Sequence, residues 1–294
     1  MYLMELQPFS VNDGEGIRTT IFLAGCPLRC AWCSNPEGFR MEEQVGWYRH
    51  KCIGCGACVE ACPRGIGIDL NEERQNCTAC GRCVAVCPSK ARTYLVREST
   101  IEDVLQQIQK HRLFYAYSSG GITFSGGEAT VQLAALDELS RRIYDMGYSM
   151  ALETCGLFSF DEASPSLHRM DQIFIDLKLM DDEKHRQYTG VSNEKILQNI
   201  IHLADLPAEI IVRIPVVGGV NDDEANIRRS AAFVHEHLPK AKMELLPLHK
   251  LGSVKYEALG MQPAYDRFSI PDQARMARLR EILREEGVEI ADYR

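Results

Sequence analysis

Eleven of the twelve cysteines in this 294-residue chain fall between Cys26 and Cys87, and only Cys155 stands apart. That crowding constrains the fold more than any other feature. Residues 50–90 carry few large apolar side chains, so the segment cannot build a core from side chains alone and needs bound metal to hold it. Disulfides are the other use of so many thiols, but disulfide scaffolds are usually small secreted chains with a signal segment. The N-terminus, MYLMELQPFSVNDGEG, has no basic region followed by an apolar core. Nor is there an apolar run of the ~18 residues that a membrane span needs. The expectation is a cytoplasmic protein with no membrane segment, whose thiols are metal ligands.

Residues 52–63 read CIGCGACVEACP and residues 77–88 read CTACGRCVAVCP. Each is C-x2-C-x2-C-x3-C-P, the bacterial ferredoxin run, in which the fourth cysteine serves the other cluster of a two-cluster module. The crossed assignment is Cys52, Cys55, Cys58 and Cys87 for one 4Fe-4S cluster, and Cys77, Cys80, Cys83 and Cys62 for the other. Small residues at Gly54, Gly56, Ala57, Ala79 and Gly81 let backbone amides approach the sulfurs. A pair of structural zinc sites is the alternative, because C-x2-C pairs also bind zinc. Zinc does not require three cysteines at this spacing followed by Cys-Pro, twice over.

The segment GCPLRCAWCSNP at residues 25–36 stops at three cysteines, Cys26, Cys30 and Cys33, with no His, Asp or Glu nearby to complete a set of four. An incomplete protein ligand set leaves a metal position open, which marks a catalytic site. The alternative is a zinc site with a distant fourth ligand such as Cys155.

The rest of the chain alternates. TIFLA (20–24), GITFSGGE (121–128), YSMALETC, QIFIDLK, EIIVRIPVV and KMELLPL read as strands. Between and after them, helical spacing predicts helices at 99–112, 130–146, 161–170, 193–204, 223–237 and 272–286, the first with Ser99 or Thr100 as N-cap. About six parallel β/α units follow, too few for a closed eight-fold barrel, so a partial barrel and a doubly wound sheet both fit. In either, ligands gather at the carboxyl ends of the strands, where the Cys26 loop, SGGE, ETCG and DLK all fall. The hydrophobic fraction of 45% is that of an ordinary globular protein, and a net charge of -8 argues against nucleic-acid binding.

The C-x3-C-x2-C triad with Trp32 just before its last cysteine resembles the signature of the radical S-adenosylmethionine superfamily. The resemblance implies that Cys26, Cys30 and Cys33 hold three irons of a 4Fe-4S cluster. The fourth iron would take the amino and carboxylate groups of the cofactor's methionine, and one electron would cleave the sulfonium to a 5'-deoxyadenosyl radical. One branch is especially similar, the glycyl radical enzyme activating enzymes typified by pyruvate formate-lyase activase. SVNDGEGIRTTIFLAGCPLRCAWCSNPE resembles that family's first block, and SGGEAT, ETCG, DLK, VRIPVVGGVND and ELLPLHKLG resemble later blocks in the same order. Many members carry a two-cluster ferredoxin-like insert after the triad. Two positions depart from the family pattern: Glu15 and Ala129 stand where proline is common.

By this resemblance Trp32, Ser125, Gly126, Gly127 and Glu128 contact the cofactor, with the Glu128 carboxylate accepting from the methionine ammonium. Glu153, Thr154 and Asp176 would form a monovalent cation site, and Lys178 would face the cofactor carboxylate. The alternative for the last two is a structural Asp-Lys ion pair. Arg213 would meet a carboxylate or ribose, His249 the adenosyl end, and Asp13 the partner's glycine segment, although NDG also reads as a turn. Hydrogen-atom abstraction requires no side-chain acid or base, and Cys155 reads as an ordinary buried thiol.

The whole is read as α/β, a partial (β/α)6 radical-SAM barrel of residues 1–39 and 91–294 with a ferredoxin-like insert at 40–90. Its function would be activation of a glycyl radical enzyme, using S-adenosylmethionine, three 4Fe-4S clusters and electrons from flavodoxin or ferredoxin, as a monomer. A radical enzyme acting on a small molecule, and a non-catalytic electron carrier, are the alternatives.

Overall fold

The computed structural model describes residues 1–291. Its strands are β1 (Tyr2–Ser10), β2 (Arg18–Leu23), β3 (Gln44–Trp47), β4 (Arg92–Glu98), β5 (Gly121–Gly126), β6 (Ser149–Thr154), β7 (Gln172–Asp176), β8 (Glu209–Val216), β9 (Lys242–Pro247) and β10 (Glu289–Ile290). They form one sheet in the order β10-β9-β8-β7-β6-β5-β2-β1-β4-β3. From β2 to β10 every neighbouring pair is parallel. The β1-β2, β1-β4 and β3-β4 pairs are antiparallel.

Six strands, β2 and β5 to β9, coincide with the six apolar segments. Their order never reverses, so each crossover steps the same way and there is no switch point of the doubly wound kind. Strand periodicity then sorts the side chains. On β8, Ile210, Val212, Ile214 and Val216 join the main apolar cluster, while Ile211, Arg213 and Pro215 face the other way. The same alternation puts Ile122 and Phe124, Met150 and Leu152, Ile173 and Ile175 against the helices. The opposite face keeps Thr123, Ser125, Glu153, Asp176 and Arg213 for a polar interior.

The six expected helices occupy Ile101–Lys110, Leu133–Asp145, Phe160–Leu167, Glu194–His202, Glu224–His237 and Gln273–Glu285. Thr100, not Ser99, is the N-cap of the first. Its hydroxyl accepts from the Asp103 N–H at 3.1 Å, and Asp103 reaches back to the Thr100 N–H. The sequence reading missed the helix Asp182–Thr189 because DDEKHRQYT has no apolar periodicity; an Asp181 cap on the Lys184 N–H and a left-handed Gly190 delimit it instead. It also missed β1, in which Pro8 argues against a strand. Only Tyr2 and Leu3 of β1 pair with β4, so Pro8 falls where the strand has one neighbour and its missing N–H costs no ladder bond.

The chain leaves the sheet after Trp47 and re-enters at Arg92, and all eight cysteines of the paired runs lie between. Val45, Trp47, Ile66, Leu70, Ala79 and Ala91 form a small cluster there, with cysteines packed against it. Two four-residue helices, Ala57–Glu60 and Arg82–Ala85, each start from a left-handed glycine, Gly56 and Gly81. Among the described residues, no helix is long and apolar enough to cross a membrane.

Replacing Thr100 with Ala should cost about 1 kcal/mol of stability through loss of the reciprocal cap, read as a lower urea midpoint by far-ultraviolet circular dichroism under anaerobic conditions.

Candidate active site

The loops that follow β2 and β5 to β9 line a cavity of about 730 Å³, within the size range of sites that enclose a small organic ligand. Cys26, Cys30 and Cys33 lie on one wall of it, in the loop after β2. That loop is held by its backbone. The Arg29 and Ala31 N–H groups donate to Thr189 and Tyr188 carbonyls at 2.7 and 2.9 Å, and the Arg29 guanidinium donates to the Cys26, Leu28 and Phe39 carbonyls. Trp32 is buried among Leu179, Val217, Leu248, Tyr256, Tyr265 and Phe268 while still reaching the cavity. Burial pushes the Cys30 thiol up to about 11 and the Cys33 thiol up to about 12, so loading metal at this triad must release protons.

The glycines of SGGE have a steric explanation. Gly126 has φ +121°, and a Cβ there would sit 2.2 Å from the Leu23 carbonyl oxygen; one on Gly127 would sit 2.5 Å from that of Gly25. Their absence lets the Gly127 and Glu128 N–H groups donate to Leu23 and Gly25 at 2.8 and 2.7 Å, laying the end of β5 along the start of the cysteine loop.

Glu128 corrects the sequence reading. Its side chain is 1% exposed and turns away from the cavity, accepting from the Thr130 N–H and hydroxyl, the Thr154 hydroxyl and the Cys155 N–H. With its oxygens taken, the carboxylate cannot receive a ligand ammonium, and Glu128 instead ties neighbouring loops together. The Thr154 hydroxyl is committed to the same carboxylate and to the Gly156 N–H.

The other carboxylates have protein partners. Glu153 accepts from Ser125 Oγ at 2.5 Å and pairs with Arg213, whose Nε reaches Glu244 at 2.7 Å. Arg213 lies 3.8 Å above the Phe174 ring. Burial raises the Glu153 carboxyl even against the Arg213 charge. Asp176 pairs with Lys178 at 2.5 Å. Burial opposes the Lys178 charge, but Asp176 holds the ammonium above its ordinary range. Thus the Asp-Lys pair forms, and both carboxylates expected at a monovalent cation are held by protein cations. Four carboxylates, Asp13, Glu153, Asp176 and Glu244, face the cavity against two cations, Lys178 and Arg213. That surplus of negative charge suits a ligand carrying a sulfonium.

Asp13 and Asn12 border the cavity from the loop between β1 and β2. Asp13 accepts from Ser10 Oγ and Thr20 Oγ1, each at 2.6 Å. His249 borders it from the loop after β9. A hydrogen bond with the Cys155 thiol lowers the pKa of the Cys26 thiol. Sequence reasoning missed Glu244, for which an acid inside the apolar run KMELLPL was the available signal, and Asn12, Phe174 and Tyr256, for which there was none.

The paired runs surround two further hollows. One is lined by Cys52, Cys55, Cys58 and Cys87, the other by Cys62, Cys77, Cys80 and Cys83 with Cys58 at its border.

A model of the radical SAM superfamily matches residues 20–231. The chain is 39% identical to a (2S)-3-sulfopropanediol dehydratase activating enzyme of Klebsiella oxytoca over 88% of its own length and 85% of the relative's. It is 34% identical to a trans-4-hydroxy-L-proline dehydratase activating enzyme of Clostridioides difficile over 95% of each. A solved domain of a pyruvate-formate lyase-activating enzyme from Bacteroides vulgatus superposes with TM-score 0.50 and 30% identity, covering 58% of this chain and 98% of that one. The chain therefore belongs to the radical SAM superfamily and, within it, to the activating enzymes of glycyl radical enzymes. Membership implies S-adenosylmethionine and a 4Fe-4S cluster, and three cysteines on the wall of a cavity of this size, with charged side chains set in a largely apolar lining, fit both.

Because the Glu128 carboxylate is a tie within the protein, Glu128→Gln should lower the thermal unfolding midpoint of protein without S-adenosylmethionine by several degrees, as two N–H or O–H donors lose an acceptor. An unchanged midpoint with weakened cofactor binding would point to direct contact instead.

Proposed function

We propose that this protein activates a partner glycyl radical enzyme by removing a hydrogen atom from a backbone glycine. Cys26, Cys30 and Cys33 would hold the cluster, and the cavity beside them would hold S-adenosylmethionine. When bound and reduced, the cluster supplies the one electron that divides S-adenosylmethionine into methionine and the 5'-deoxyadenosyl radical that takes the glycine hydrogen. The chain's own residues hold and orient. The backbone at Gly126 and Gly127 and the Ser125 side chain border the methionine end, Lys178 and Arg213 offer cationic partners to a carboxylate, and His249 and the Trp32 cluster enclose the other side. No proton has to move, which agrees with an interior where Glu153, Glu244 and Asp176 are held in ion pairs and Asp13 by hydroxyl donors. The observation that carries this reading is the joining of the triad and the strand-end loops around one cavity, together with similarity to several proteins named as activating enzymes.

The segment at about 40–90 is read as a ferredoxin-like insert with two further 4Fe-4S clusters. The distribution of eight cysteines over two hollows, with Cys87 joined to the first run and Cys62 to the second, supports it. Contact with the catalytic loop supports a relay of electrons from flavodoxin or ferredoxin through the insert. Asn71 and Arg74 donate to the Glu257 and Ala258 carbonyls at 2.9 and 2.6 Å, and Tyr256 of the same short helix, Ser253–Ala258, donates to the Cys33 carbonyl at 3.1 Å. The relatives are named for chemically different partners, from a sulfopropanediol dehydratase to a choline lyase.

Anaerobic reconstitution should give about twelve irons per chain, about eight in Cys30→Ala, and formation of 5'-deoxyadenosine on reduction only in the unmodified chain. About eight irons in the unmodified chain with no deoxyadenosine would leave an electron carrier and overturn the reading.

A further inference from the structure

Arg92 opens β4 and pairs across the ladder with Trp47. It is 3% exposed, and its side chain lines both cysteine hollows. Nη2 donates to the Ile68 and Gly67 carbonyls at 2.7 and 3.1 Å and lies 3.9 Å from the Cys58 sulfur. The backbone N–H of Arg92 donates to the Cys87 sulfur at 3.4 Å. Nε and Nη1 are buried and have no hydrogen-bond partner. Among the described residues, no carboxylate is an acceptor of this guanidinium.

A guanidinium remains charged at any pH the fold survives. Burying one without a counter-charge is among the costliest arrangements a protein can make. The Trp47 ring, 5.6 Å away, offsets only a small part of that cost. The missing negative charge must therefore come from what fills the hollows on either side. A 4Fe-4S core on four cysteinates has a net negative charge that grows by one on reduction, so a fixed cation between two such clusters stabilises each and favours its reduced form.

We propose that Arg92 is the counter-ion shared by two 4Fe-4S clusters of the insert and that it raises the reduction potential of both, a positioning and tuning role that rests on the two-cluster reading above. The competing role is mechanical. The bonds to Gly67 and Ile68 pin the connection between the cysteine runs, and a neutral side chain could do that without affecting any potential.

The test uses the full-length chain carrying Cys30→Ala, so that only the insert clusters give a signal, reconstituted anaerobically and titrated by dye-mediated electron paramagnetic resonance. Iron content is read first. About eight irons per chain sustain the two-cluster reading, and a chain without them overturns that reading before Arg92 is considered. Given eight irons, Arg92→Gln is expected to lower the reduction equilibrium of both clusters about tenfold, about 59 mV for a one-electron couple. Arg92→Lys, which keeps the charge, is expected to stay within about twofold of the parent. A glutamine variant at parent potentials, or a lysine variant that falls as far as the glutamine one, overturns the proposal. If the glutamine variant loses iron while the lysine variant keeps eight irons at parent potentials, the charge is what the site requires. If both lose iron, charge is not the requirement and the mechanical role stands.

Discussion

The buried carboxylate of Glu128 is the tie on which the mouth of the cavity depends. Its backbone N–H holds the cysteine loop through Gly25, and its side-chain oxygens hold the end of β6 through Thr154 and Cys155. One residue thus joins the loops after β2, β5 and β6. The arrangement is stable in a dry setting because each carboxylate oxygen receives N–H or O–H donors, and hydrogen bonds to an ionised acceptor are stronger than neutral ones. It also explains why glycine is required just before: without bare backbone at Gly126 and Gly127, the strand end could not approach the Leu23 and Gly25 carbonyls closely enough for the tie to form.

A second constraint acts on the polar face of the sheet. Glu153, Arg213 and Glu244 come from β6, β8 and β9 and form one buried network over the Phe174 ring of β7, the strand between the first two. Arg213 engages both carboxylates through different nitrogens, a geometry lysine cannot reproduce. Such networks are weak sources of net stability, since desolvation offsets most of the Coulombic gain. Their effect here is positional. They keep long charged side chains in fixed places beside the space where a cofactor would bind, and they leave that space with a negative surplus.

The cysteine-rich segment obeys a different rule. It has a small apolar cluster, two one-turn helices and left-handed glycines at Gly54, Gly56, Gly65 and Gly81 in place of a large packed core. It is nevertheless firmly rooted. β3 and β4 attach it to the sheet, and Arg74, bonded to Val45, Asn71 and Ala258, fastens it to the helix that also holds Cys33. The cysteine-rich segment and the triad are therefore parts of one hydrogen-bonded body.

Much of this was legible in the amino-acid order because it is local. The six parallel strands followed from short apolar segments, the helices from their periodicity, and the triad and paired runs from cysteine spacing alone. What failed was also local: β1 was hidden by Pro8, and the helix at Asp182 by its polarity, because tertiary neighbours and caps supply what propensity lacks. The purposes of individual charges were decided only by the tertiary structure. Glu128 in SGGE looks like a ligand for an ammonium until β6 brings Thr154 and Cys155 against it. Arg213 looks like a lone cation in the sequence, and only the fold brings Glu153 and Glu244, 60 and 31 residues away in the chain, to fix where it sits. Arg92 has no motif at all, and only the fold places it between two sets of thiols. The physical reason is the same in each case. A cluster ligand is specified by spacing along the chain, whereas the state of a buried charge depends on the groups that surround it, and those are chosen by topology.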